Sequence, residues 1–274
     1  MNDPLPKVFL SQDTIFHYTS RVIAMEKILN EMKFKFSIFQ KANDPYEYGL
    51  RFWGITGPWS NEEKNNKKLE KYTSRVYDYA SKFLLRNTAY LAFCRNGNAN
   101  NLDDLGCSKL RMWSQYGEDH RGVCLAFSKN LLLNELKRVF DRKSSRILYE
   151  NMRYENKMEE AFHDLSINLP EKFEYARVPR DEVFKEVGKR GNSFLFVKHN
   201  DYRDENEFRV VLLRKYHRKT DIYFDIKLSL KGIILGDRFP EVYQPTIKNL
   251  CSEMNVPFGK LNWKFGKWSF ENWR

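Results

Sequence analysis

Four strand-length apolar runs crowd the last third of the chain: SFLFVKH from Ser193, EFRVVLL from Glu207, DIYFDI from Asp221 and KGIIL from Lys231. Runs this short, rich in β-branched and aromatic residues and bounded by polar segments, read as strands. Upstream, strands and helices follow one another without a strict strand-helix-strand beat, which argues for an α+β fold over a doubly wound parallel sheet. TIFHYTS reads as a strand carrying His17, after which Ser20 stands as N-cap to a helix with Val22, Met25, Leu29 and Met32 along one stripe. KFKFSIF alternates Phe34, Phe36 and Ile38 with polar neighbours and predicts a half-buried strand, and NDPYEYG after it predicts a turn-rich loop.

The polar stretch from Asn61 to Lys71 reads as an exposed insertion leading into a helix with Tyr72, Val76, Tyr79, Ala80 and Phe83 at helical spacing. TAYLAFCR and GVCLAFS are strands on either side of a long loop with a short helix around Met112 to Tyr116, and a loop of that length is usually functional or mobile. KNLLLNELKRVF is a helix, RILYE a strand, and Asn156 to Leu169 a helical region with Met158, Phe162 and Leu165 on one stripe. A helix near QPTIKNLCSEM and a final strand near LNWKF close the chain. No linker or repeat divides it, so residues 1–274 are expected to form a single domain.

With 21 Phe and 15 Tyr the chain carries enough large apolar groups to build a core, which excludes a disordered protein. A net charge of +11 favours polyanionic partners, with concentrations at Lys137, Arg138, Arg142, Lys143, Arg146 and at Arg214, Lys215, Arg218, Lys219 that a solvated basic face also explains. Four scattered cysteines, an N-terminus without a charged and apolar leader pattern, and no membrane-length apolar run imply a soluble protein of the cytoplasm.

The usual dinucleotide, phosphate-loop, zinc-protease and paired-cysteine signatures are absent, and Cys107, His120 and Cys124 match no usual zinc spacing. Cys124 reads as a buried free cysteine. What remains is an E-x-E pair, Glu205 and Glu207, at the mouth of a strand. Alternation puts both acids and Arg209 on one face and Phe208, Val210 and Leu212 on the other. A solvated face with Arg209 pairing one acid, a contact worth at most about 1 kcal/mol, accounts for the residue pattern more readily than catalysis does. His17 reads equally as a hydrogen-bonded core histidine, Trp113 as a packing residue, and Asn43 and Asp44 as turn residues; Trp113, Tyr116 and His120 could also line a pocket for a flat ring.

FHYTS, NDPYE, MWSQYGEDHRGVCLAF and ENEFRVV, in that order, resemble a bacterial family of unknown function, number twenty-nine seventy-one, over about residues 14–236, with a C-terminal helix-strand extension beyond. The chain has Cys94-Arg95-Asn96 and Tyr202 where that family's pattern has Cys-Phe-Ser and a Trp. More distantly, a strand His followed by Thr, a central aromatic and a late E-x-E are similar to the His-Tyr-Glu pattern of ADP-ribosyltransferases. That resemblance implies a split mixed or antiparallel sheet with flanking helices and NAD as a substrate. His17, with Tyr18 and Thr19, would hold a ribose hydroxyl of NAD. Glu207 would be the catalytic glutamate and Glu205 the acid facing the acceptor. Tyr46, Tyr90 and Tyr116 are candidates for the central tyrosine; Trp113 and His120 would line the ring site and Arg209 would meet the pyrophosphate.

The expected function is therefore a mono-ADP-ribosyltransferase modifying a nucleic acid or an acidic protein, as a toxin or antiviral defence effector, using no metal and with any neutralising partner left open. A nuclease holding Mg²⁺ on Asp44, Glu47, Glu205 and Glu207 is the first alternative. A non-catalytic nucleic-acid-binding module using Lys137 to Arg146 and Arg214 to Lys219 is the second.

Overall fold

The computed structural model describes residues 5–42, 44–48, 54–57, 67–98, 101–157, 166–168, 180–217, 220–264 and 266–273. Its strands are β1 (Thr14–Thr19), β2 (Lys33–Lys35), β3 (Ser37–Ile38), β4 (Gly54–Thr56), β5 (Thr88–Arg95), β6 (Val123–Ser128), β7 (Ser145–Asn151) and β8 (Arg153–Glu155). Then come β9 (Ser166–Asn168), β10 (Val197–His199), β11 (Glu207–Arg214), β12 (Tyr223–Asp225), β13 (Leu230–Leu235), β14 (Phe258–Lys264) and β15 (Lys267–Trp273).

Nine of them form one mixed sheet in the order β15-β14-β13-β6-β1-β5-β11-β7, with β3 also on β5. Among these pairings only β13 with β14 is parallel. The fold is α+β, with helices on both faces of the sheet. On one face Ile15, Phe93, Leu125, Phe127, Phe208, Val210 and Leu212 join Leu132 and Leu136 of the 129–140 helix and Ile247 of the 244–254 helix in one core. On the other, Val211 and Leu213 pack with Tyr72, Val76 and Phe83 of the 67–87 helix and Val183 and Val187 of the 180–194 helix. Next to that group, Phe16, Tyr18, Cys94, Cys124 and Trp113 fill a third cluster beneath the middle loop.

The joint between β1 and β5 shapes everything that follows. These strands pair only at Ile15 with Arg95 and Phe16 with Cys94. From His17 onward β1 stays with β6, while the first half of β5 pairs with β3 at Ala89 and Tyr90. The sheet therefore forks, joined at one end and open at the other.

Several local expectations give way. The segment after Ser20 winds as a π-helix over Ile23–Leu29, burying Ala24, Ile28 and Leu29 and leaving Val22 exposed; the wider turn moves the apolar stripe off the 3.6-residue spacing. Ser193 and Phe194 end a helix that begins at Arg180, so only Val197–His199 of SFLFVKH is a strand. Ser166–Asn168 is a strand paired with β4 where a helix is expected, and Met158, Phe162 and Leu165 lie outside the described residues, as do Asn43, Asn61 to Asn66, Arg218 and Lys219. The chain ends in a hairpin, β14 with β15, in place of one strand.

Candidate active site

A cavity of about 650 Å³ occupies the fork. Its size falls within the roughly 300–1,000 Å³ usual for small-molecule and cofactor sites. Pairing assigns the faces of its two walls. His17 stands opposite Leu125, on the Phe208 face, whereas Glu207 stands opposite Cys94, on the reverse face. Only an opening through the sheet lets both line one space, and both do.

On the β1 wall, the His17 ring does what a missing ladder bond would do. Its Nδ1–H donates to the Ala92 carbonyl at 3.1 Å, across the gap where β1 and β5 no longer pair. The ring lies edge-on to Phe34 at 4.6 Å. Burial pushes its pKa down to about 4, so near neutral pH the imidazole is uncharged, with Nε2 left as an acceptor. The far end of this wall is tied by the middle loop: Glu118 accepts the Arg21 backbone N–H at 3.0 Å and pairs with the Arg21 guanidinium at 3.1 Å. Glu118, Asp119 and His120 all have positive φ, a strained path for non-glycine residues, held in place where the His120 N–H donates to Trp113 O and the Arg238 N–H donates to His120 O.

On the β11 wall, a 3-10 turn over Asn200–Glu205 delivers Glu205, and Asn206 then takes a left-handed conformation (φ 44°, ψ 49°) that turns the chain into β11 at Glu207. Asn206 is held by exchange with Arg95: its Oδ1 accepts from Arg95 Nη2 at 2.5 Å and its Nδ2 donates to Arg95 O at 3.1 Å. Both acids are buried, and between them lie cations. Lys198 Nζ sits 2.7 Å from Glu205 Oε2 and 2.8 Å from Glu207 Oε2. Arg209 Nε donates to Glu207 Oε1 at 2.6 Å and its Nη2 to Oε2 at 3.2 Å, while the same Nη2 pairs with Glu47. Arg111 closes the chain of charges on Glu205 at 3.3 Å.

The cations decide the protonation states. Burial pushes the Glu207 carboxyl up, but Arg209 and Lys198 outweigh it and hold the group at about 2. For Glu205 burial prevails over Lys198 and, with the Glu207 charge, raises the pKa. Two carboxylates one residue apart thus differ: one fixed as an anion, the other displaced toward taking a proton. A carboxylate offers about four acceptor sites. Arg209 and Lys198 fill three of those on Glu207, leaving one on Oε1.

Toward solvent the lining changes sign. Lys27, Lys33, Lys35 and Lys41 are exposed along the rim, and of these Lys35 pairs with Asp221 at 2.8 Å.

Residues 112–210 match the model of a family described as "Protein of unknown function (DUF2971)". No curated protein and no solved structure matches the chain. The matched stretch holds both acids, Lys198 and the middle-loop motif; His17 lies outside it.

Of the residues picked from sequence, His17, Tyr18, Thr19, Tyr90, Tyr116, Glu205, Glu207 and Arg209 line the cavity. Tyr46, Trp113 and His120 do not. Tyr46 is exposed and stacks on His199 at 6.3 Å. Trp113 is fully buried, its indole N–H donating to Cys107 O at 2.8 Å, and His120 stacks on it at 6.5 Å. Tyr18 spends its hydroxyl on Gly106 O at 2.7 Å, in the cluster under the loop. Of the three tyrosine candidates, Tyr90 is placed against the charges, with the Arg209 guanidinium 5.0 Å from its ring centroid.

The solvated-face account of the E-x-E pair is overturned, since Glu205, Glu207 and Arg209 are 3%, 2% and 1% exposed. Arg209 also directs its Nη1 to Leu195 O at 3.2 Å, so four of its five N–H groups are spent within the protein and it braces Glu207. Lys198 and Tyr202 were missed. The available signal for Lys198 was a lysine inside the apolar run LFVKH; Tyr202 stands near it, with Lys198 Nζ 5.1 Å from its ring centroid. All four cysteines are buried and free, and among the described residues no group of His, Cys, Asp or Glu is placed to hold a metal ion. No helix among them is long and apolar enough to cross a membrane.

Proposed function

We propose that the protein is a mono-ADP-ribosyltransferase that binds NAD in the fork and cleaves it at the nicotinamide-ribose bond. The observation that carries this reading is the pairing, across one cavity, of a neutral imidazole on β1 with a buried, ionised glutamate on β11. His17 Nε2 accepts from a ribose hydroxyl. As the C1′–N1 bond breaks, its electron pair leaves with nicotinamide and positive charge builds on the sugar. The free site on Glu207 Oε1 stabilises that charge, which a fixed carboxylate does far better in a dry cleft than in water. An acceptor nucleophile then forms the new bond to C1′ and gives its proton to Glu205, whose raised pKa suits it to that role. The rim lysines suit the pyrophosphate and a polyanionic acceptor, a nucleic acid or an acidic protein.

Purified protein incubated with labelled NAD and a cell lysate is expected to release nicotinamide and transfer label to macromolecules; no turnover with any fraction would refute the proposal. The second reading, a metal-dependent nuclease, is favoured by one fact: Asp44, Glu47, Glu205 and Glu207 all line this cavity. Against it, Arg209 and Lys198 lie between three of those acids. Nucleic-acid cleavage that stops on adding a chelator would select it.

A further inference from the structure

Asp44 is 3% exposed and lines the cavity, yet its two oxygens are used unequally. Oδ1 accepts the Tyr46 backbone N–H at 2.9 Å, an ordinary turn contact. Oδ2 is buried and has no hydrogen-bond partner among the described residues. The oxygens of Glu205 and Glu207 face Lys198, Arg209 and Arg111, and Glu47 faces Arg209, so Asp44 presents a buried acid oxygen at this end that no cation among the described residues pairs with. An uncovered carboxylate oxygen out of water is costly unless a donor meets it. Tyr202 lines the same cavity, and the Asp44 charge adds to burial in raising that phenol's pKa.

We propose that Asp44 Oδ2 is a specificity-determining acceptor for an amide N–H on a planar ring. If the fork binds NAD, as proposed above, that group is the nicotinamide carboxamide. The consequence is discrimination against a ligand with a carboxylate in place of the amide, because two anions would meet where one hydrogen bond is wanted.

The test compares dissociation constants of NAD and nicotinic acid adenine dinucleotide, from thermal-shift titrations, for the wild type and Asp44→Asn. Asparagine keeps an oxygen for the Tyr46 amide and replaces Oδ2 with a donor. Wild type is expected to favour NAD by about tenfold or more, the worth of a hydrogen bond to a charged group, and Asp44→Asn to remove or invert that preference. Asp44→Ser, which keeps a short acceptor for the turn, is expected to shift the ratio the same way and serves if the first variant does not fold. An unchanged ratio in a folded variant that binds NAD overturns the role of Asp44 and leaves the NAD reading standing. Failure of wild type to bind either dinucleotide overturns both.

Discussion

The two walls of the fork reach a defined charge state by opposite means. On β11 the acids are surrounded by Lys198, Arg209 and Arg111, and Glu207 keeps its charge because buried cations outweigh the cost of burial. On β1, His17 has one backbone carbonyl as partner and stays neutral because burial is opposed only by that bond. The first wall depends on a count of charges and the second on keeping water out. A substitution that removes a charge therefore damages the β11 wall out of proportion to the atoms lost, whereas the β1 wall responds to acid.

The sharpest way to break this contrast is Arg209→Met. It leaves Glu47 and Glu207 as buried carboxylates without their shared cation, and urea unfolding at neutral pH is expected to show a loss of about 3–5 kcal/mol. Adding Glu47→Gln should recover part of it. Next comes Glu207→Gln, which keeps an oxygen for Arg209 but no charge for the sugar; nicotinamide release is expected to fall by about 100-fold or more in a protein that still folds. Retained turnover in that variant would place the chemistry elsewhere.

Acid sharpens the contrast without mutation. The His17 pKa is lowered from 6.5 to about 4, so between those values the unfolded chain binds a proton that the native protein does not. Its contribution to stability is complete above 6.5 and is lost as the pH falls toward 4. Glu207, lowered from 4.5 to about 2, contributes fully above 4.5 and loses its contribution as the pH falls through about 2. Unfolding free energies across this range should decline in the upper window first, and His17→Gln should flatten that decline alone. The smallest effect belongs to the rim: Lys33→Ala is expected to change stability by less than about 0.5 kcal/mol while weakening NAD binding at low salt more than at high salt.

The strands were legible because their residues obey a local rule. Phe34 and Phe36 alternate with lysine and serine, and Phe208, Val210 and Leu212 mark one face of β11 as the pattern predicts. The π-helical turn after Ser20 and the helix ending at Phe194 were not, because apolar spacing in short segments does not distinguish windings, or helix from strand, once tertiary contacts decide. His17, Glu205 and Glu207 could be named from sequence as members of a site. Their environment could not: Lys198 reaches both acids from another strand and Glu47 reaches Arg209 across 162 positions, and alternation carries no information about such partners. Period two also implied one wet face on β11, whereas Val211 and Leu213 show that helices cover it.

The strand order bears on what could be cut from this protein. The stretch that matches the family carries β6 and β7 whole and the first part of β11, yet in the sheet β6 and β11 are separated by β1 and β5, which it lacks. A fragment limited to 112–210 would leave β6 without either of its partners, β1 and β13, and the start of β11 bare on the edge that β5 covers, with only β7 beside it. Such an excised piece should aggregate where the longer chain stays dispersed, so the smallest unit able to stand alone must include the N-terminal strands.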